Sequence, residues 1–283
     1  LPDGEDPTPI ARVFAARLAA VKRRQGENAS AAELIKLILS RGRRDLNPKE
    51  RGRLEYELGY IYFQTGKLAK AAEMFRRSAV HSEQGGYVVG EWIGKCIEAR
   101  TEFLRGKITS AQFKSVLEQA RYKFQQAESA PGGDANATRW LYNVPGHLFE
   151  IAFADDDAEA AFGYLQELQG NAWIRRFKGS VMLLRYLARM AMLKGDYNAA
   201  VSYFRDYFDK DPDVVNGKTD ALSREYYDFG RALARAGLTV EAEETWRSGL
   251  EVPGELGNKL WKTKIRQELK RLRSTLAGRE DVM

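Results

Sequence analysis

Apolar residues recur at three- and four-residue intervals along most of the chain, and glycine or an acidic turn ends each run. This predicts amphipathic helices joined in pairs, with no sheet. Val13, Phe14, Leu18 and Val21 precede Gly26, and Leu34, Ile35, Ile38 and Leu39 follow it. Trp92, Ile93, Ile97, Phe103 and Leu104 lead to Gly106, after which come Phe113, Val116, Leu117, Ala120 and Phe124. The pattern places helix pairs at about 10–45, 52–85, 87–128, 137–170, 172–212 and 223–252, and a last helix at 258–276. Residues 1–9, with three prolines, read as a flexible lead-in, and 279–283 as a tail. Pro131-Gly132-Gly133-Asp134 marks a long loop or a kink. Pro145-Gly146 is awkward for a continuous helix, because proline removes a backbone donor.

Within three of the pairs the residues fall in one register. Leu58, Gly59, Tyr62, Gly66, Leu68, Ala71 and Phe75 match Leu184, Leu187, Ala188, Ala191, Gly195, Tyr197, Ala200, Phe204 and Pro212. Tyr226, Phe229, Gly230, Leu233, Gly237, Ala242 and Trp246 repeat it. Small residues stand where two helix backbones would cross closely, and Phe75, Phe204 and Trp246 fill the space between one pair and the next. This register resembles the tetratricopeptide repeat (TPR). The turn residues Gly26, Gly66, Gly106, Asp156, Gly195 and Gly237 are spaced by 40, 40, 50, 39 and 42, which is longer than the usual repeat of about 34. The resemblance implies an all-α, right-handed solenoid over 10–278. The helix at 258–276 would serve as its cap, burying Leu260, Trp261, Ile265, Leu269, Leu272 and Leu276.

Composition narrows the function classes. A net charge of +6 and a pI near 9.2 are modest, and with no recognised nucleic-acid module they argue against that partner. No apolar run reaches the roughly 20 residues of a membrane span. The chain begins at Leu1, which suggests that something upstream was removed. One cysteine, Cys96, excludes an internal disulfide and fits a cytoplasmic or a periplasmic setting. The cap's other face, with Lys259, Lys262, Lys264, Arg266, Lys270, Arg271 and Arg273, suits water, an anionic membrane or an acidic partner.

Catalytic and cofactor motifs are missing from the sequence. His81 and His147 are the only histidines and have no nucleophile or acid at a recognisable spacing, and Cys96 sits on an apolar face. Asp209, Asp211, Asp213 and Asp220 imitate a calcium loop, but Val214 stands where the loop needs glycine and Pro212 interrupts it. Asp155, Asp156 and Asp157 read as helix-capping residues. No metal or cofactor is expected.

The TPR resemblance also implies a ligand groove lined by the first helix of each pair. The positions carried over are Arg53, Tyr56, Tyr60, Phe63 and Gln64; Met182, Arg185, Arg189, Met192 and Leu193; and Arg224, Tyr227, Arg231, Ala234 and Arg235. The expected groove residues are therefore Arg185, Arg189, Arg224, Tyr227, Arg231 and Arg235, with Tyr56 and Tyr60 in the N-terminal half. Such a face implies a protein or peptide partner of acidic character, bound by a non-enzymatic scaffold.

Overall fold

The structure is a computed structural model. It describes residues 17–19, 21–23, 27–41, 46–170, 181–210, 222–252 and 259–280, with backbone alone at 41 and 275–280. The expectations for the lead-in, Gly26, Asp211 to Asp213 and Asp220 lie outside these residues. Among those described there is no strand. The helices are α1 (Asn28–Arg41), α2 (Pro48–Gln64), α3 (Leu68–Gln84), α4 (Val88–Leu104), α5 (Ser110–Ser129), α6 (Ala135–Ala154), α7 (Ala158–Gly170), α8 (Val181–Leu193), α9 (Tyr197–Lys210), α10 (Leu222–Arg235), α11 (Thr239–Glu251) and α12 (Lys259–Glu280). The chain forms two compact units, Leu1–Leu148 and Phe149–Met283.

The turns explain why the chain doubles back where it does. Gly66, Gly106, Gly195 and Gly237 take φ of 72°, 68°, 75° and 84°, and Asp156 takes 59°. At each, the following N–H donates to the carbonyl five residues back: Lys67 to Tyr62, Lys107 to Glu102, Asp157 to Ala152, Asp196 to Ala191 and Leu238 to Leu233. This is the six-residue closure that satisfies the free carbonyls of a helix end and requires a left-handed residue there. After Gly106, Asp156 and Gly195 the next helix starts on a side-chain cap, whereas Lys67 and Leu238, after Gly66 and Gly237, provide none. The Thr109 hydroxyl and Gln112 form a reciprocal capping box on α5, as do Asn47 and Glu50 on α2. Asp157 Oδ1 accepts from Ala160 N at 3.0 Å, so the acidic run turns and caps the chain.

In unit 1, α2 packs on α3 and α3 on α4, while α2 also reaches α4. A Cβ on Gly59 would lie 2.8 Å from the Phe75 ring, so the ring occupies the space a larger residue would take. In unit 2, α8 packs on α9, α9 on α10 and α10 on α11. The first helices of successive pairs meet directly, α8 with α10 and α10 with α12. A Cβ on Gly230 would come within 2.2 Å of Trp246 Nε1, and that nitrogen donates to the Tyr227 carbonyl at 3.2 Å. Trp261, Ile265 and Leu269 of α12 are buried, and α12 packs on both α10 and α11. The cap therefore occupies the place of another first helix.

Pro145-Gly146, awkward for a continuous helix, does not break the first helix of its pair. The helix α6 carries through Pro145, which lies in its interior. Val144, Leu148 and Phe149 beside it are almost wholly buried, so packing outweighs the lost backbone hydrogen bond.

Candidate functional site

The predicted groove arginines of unit 2 project from α8 and α10, and most of them are spoken for. Arg189 is 1% exposed. Its Nε donates to Asp228 Oδ2 at 2.8 Å, and its Nη2 to Glu225 Oε2 at 2.9 Å. Burial works against its charge, but Glu225 and Asp228 more than offset it and hold the guanidinium charged beyond its ordinary range. Arg224 is also buried, with Nη1 2.8 Å from Glu150 Oε1 and its guanidinium over the Trp261 ring at 5.2 Å. Arg185 lies over the ring of Tyr186 at 4.8 Å and 3.8 Å from Glu225. The sequence reading placed these side chains on a groove surface. For Arg189 and Arg224 the structure corrects this: the carboxylates of neighbouring helices draw them into the layer between helices, where an unpaired charge would be costly.

The balance of charge decides what remains. Glu150, Glu225 and Asp228 match Arg185, Arg189 and Arg224 one for one. Arg231 and Lys264 are then surplus cations around Tyr227. Arg231 stands over its ring at 5.6 Å, with Asp228 at the limit of ion pairing, 4.0 Å. Lys264 stands 5.8 Å from the same ring and 4.4 Å from that of Trp261. Tyr227 and Trp261 lie against each other at 5.5 Å. Burial pushes the Lys264 ammonium below the ordinary lysine range; Asp228 opposes this, while Arg224 and Arg231 add to it. Arg235 is exposed at the end of α10. Among the described residues, Lys264 and Arg235 have no carboxylate within ion-pair distance. The result is a half-buried tyrosine ring, backed by the buried Trp261 and bordered by cations, suited to a carboxylate-bearing ligand with an apolar part.

In unit 1, Tyr56 and Tyr60 meet edge-on at 5.1 Å, and both pack on Phe75, at 5.8 and 5.7 Å. Burial raises the Tyr56 phenol well above its ordinary range, and Tyr60 adds to the effect. Arg23 lies over the Tyr60 ring at 5.2 Å. These tyrosines are half-buried around the α2–α3 crossing and are joined to its core.

Sequence reasoning missed two features. Trp261 and Lys264 join the α10 face because α12 sits as a first helix. The other is Glu55, 1% exposed in unit 1, with His81 Nδ1 at 2.6 Å and Arg77 Nε at 3.1 Å. No local spacing signals that pairing across 26 residues. His147 packs near Phe113 and Trp140. Cys96 is fully buried, and burial pushes its thiol up, away from reactivity. No group of acids, histidines and cysteines suited to a metal occurs among the described residues, and no described helix is long and apolar enough to cross a membrane.

No family model and no curated protein matches the sequence. Among solved structures, the chain is similar to a kinesin light chain-like protein of Podosopora anserina with nearly identical TPR-like repeats. The identity is 17% and the TM-score 0.44, over 73% of this chain and 96% of that one. It is also similar to BtubC (BKLC) from P. vanneervenii, at 15% identity and a TM-score of 0.32, over 96% of this chain and 84% of that one. The turn closures, the small-to-large crossings at Gly59 and Gly230, and the direct contact of alternate helices are features of this chain itself, and on them its helix pairs are TPR-like.

Proposed function

We propose that this protein is a non-enzymatic interaction scaffold whose α10–α12 face binds an extended, acidic segment of a partner protein. The half-buried ring of Tyr227, backed by the buried Trp261, holds an apolar side chain of the segment, and Arg231, Lys264 and Arg235 meet its carboxylates. The observation that supports this reading is the charge balance: Glu150, Glu225 and Asp228 neutralise Arg189 and Arg224, yet Arg231 and Lys264 remain beside the half-buried ring of Tyr227. Arginine and lysine at a rim attract acidic ligands, and the attraction weakens with salt.

The test is fluorescence anisotropy with a labelled peptide carrying Asp and Glu around a single Phe. The parent chain should bind it, with affinity falling as salt rises. Arg231→Glu with Lys264→Glu should reduce affinity at least tenfold while the far-ultraviolet circular dichroism stays unchanged. Equal binding by parent and variant, or binding of random RNA in preference to the peptide, defeats the proposal.

A further inference from the structure

A cleft of about 390 Å³ lies between α11 and α12, lined by Leu250, Leu269, Arg266, Lys270, Arg273 and Ser274. The residues Arg266, Lys270 and Arg273 are spaced four and three apart, so they form one stripe. Lys264 precedes that stripe by two residues, which places it on the other side of the helix. Leu269 is buried and Leu250 packs against the same core cluster, giving the cleft an apolar floor. Its rim is cationic. Arg266 and Lys270 are exposed, and among the described residues no carboxylate pairs with them. Arg273 approaches Glu243 at 3.7 Å, but that acid already holds Arg247 at 2.6 Å.

The packing of the earlier pairs says what shape fits there. Each first helix of unit 2 receives the second helix of its own pair, α9 on α8 and α11 on α10. Successive second helices are neighbours, since Arg205 of α9 reaches Glu241 of α11 at 2.6 Å. The next second helix in this series would lie against α11 and α12, the two helices that line the cleft. Among the described residues, no helix fills that place.

We propose that this cleft docks an acidic amphipathic helix of a partner protein, laid where the next second helix of the series would lie. Its apolar stripe covers Leu250 and Leu269, and its carboxylates face Arg266, Lys270 and Arg273. Charge complementarity selects an acidic helix, and an apolar-floored groove between two helices is a standard receptor for an amphipathic one. A lipid surface shares the charge preference but is flat, and it leaves the Leu250–Leu269 floor uncovered.

Three probes test the docking: a labelled synthetic helix with Leu along one face and Glu on both flanks, the same helix with Lys for Glu, and phosphatidylserine vesicles. The parent chain should bind the Glu helix and ignore the Lys helix. Arg266→Glu with Lys270→Glu, both at exposed positions, should weaken binding at least tenfold with an unchanged circular dichroism spectrum. Arg231→Glu with Lys264→Glu, which disables the face assigned above, should leave binding of the Glu helix within twofold, so the two sites fail or succeed separately. The proposal is overturned if the parent fails to bind the Glu helix, if the Arg266/Lys270 variant binds it equally well, or if the vesicles bind and the helix does not.

Discussion

Arg189 of α8 and Asp228 of α10 meet inside unit 2, with Nη2 to Oδ2 at 2.7 Å and Nε to the same oxygen at 2.8 Å. The side chains are 1% and 3% exposed. A carboxylate this deep is tolerated only with its counter-charge in place. The pair fixes the approach of two first helices that the hydrophobic pattern alone would allow to slide.

Arg189→Ala should therefore destabilise unit 2 by about 3–5 kcal/mol, since it strands Glu225 and Asp228 as buried, uncompensated charges. Urea denaturation followed by tryptophan fluorescence measures it. Adding Glu225→Gln and Asp228→Asn to that variant should recover part of the loss. A cost below about 1 kcal/mol would show that the carboxylates find water or another cation instead.

Gly230 and Gly59 make a steric prediction. Gly230→Ala places a methyl group 2.2 Å from Trp246 Nε1, forcing the indole to move and lose its bond to the Tyr227 carbonyl. The expected cost is about 1–3 kcal/mol, despite alanine's better helix propensity. Gly59→Ala, with 2.8 Å to Phe75, should cost less because the contact is longer. Thermal melts of both variants beside the parent settle the order.

Tyr56 predicts a pH dependence. Burial raises its phenol well above the ordinary 10.0 in the folded state. Its contribution to stability is thus full below the unfolded value and is lost as pH rises through the raised folded value. Above about pH 10, the melting temperature of the parent should fall more steeply than that of Tyr56→Phe, which has nothing to ionise there. Parallel curves for the two proteins would count against the burial.

The helical pairs were legible because their signals are local. Gly66, Gly106, Gly195 and Gly237 make the turns their spacing announced, in the left-handed conformation, and Gly59 and Gly230 are small at close helix crossings as the register required, although the rings of Phe75 and Trp246 that meet them come from the second helix of the same pair and not from between pairs. The continuity of α6 through Pro145 was not legible, because it rests on the burial of its neighbours.

The sequence by itself determined where helices begin, end and turn, and which residues are small at their crossings, since hydrogen-bond closure and backbone sterics act over a few residues. Only the tertiary structure decided which arginines are paired between helices and which stay exposed. Repeat positions treat Arg189, Arg224 and Arg231 alike, yet Arg189 finds its acids 36 and 39 residues away, Arg224 finds Glu150 on α6, and Arg231 keeps 40% of its side chain exposed. Desolvation makes that difference: a charge between helices must be paired with an acid brought from elsewhere in the chain, while a charge at the rim keeps its water.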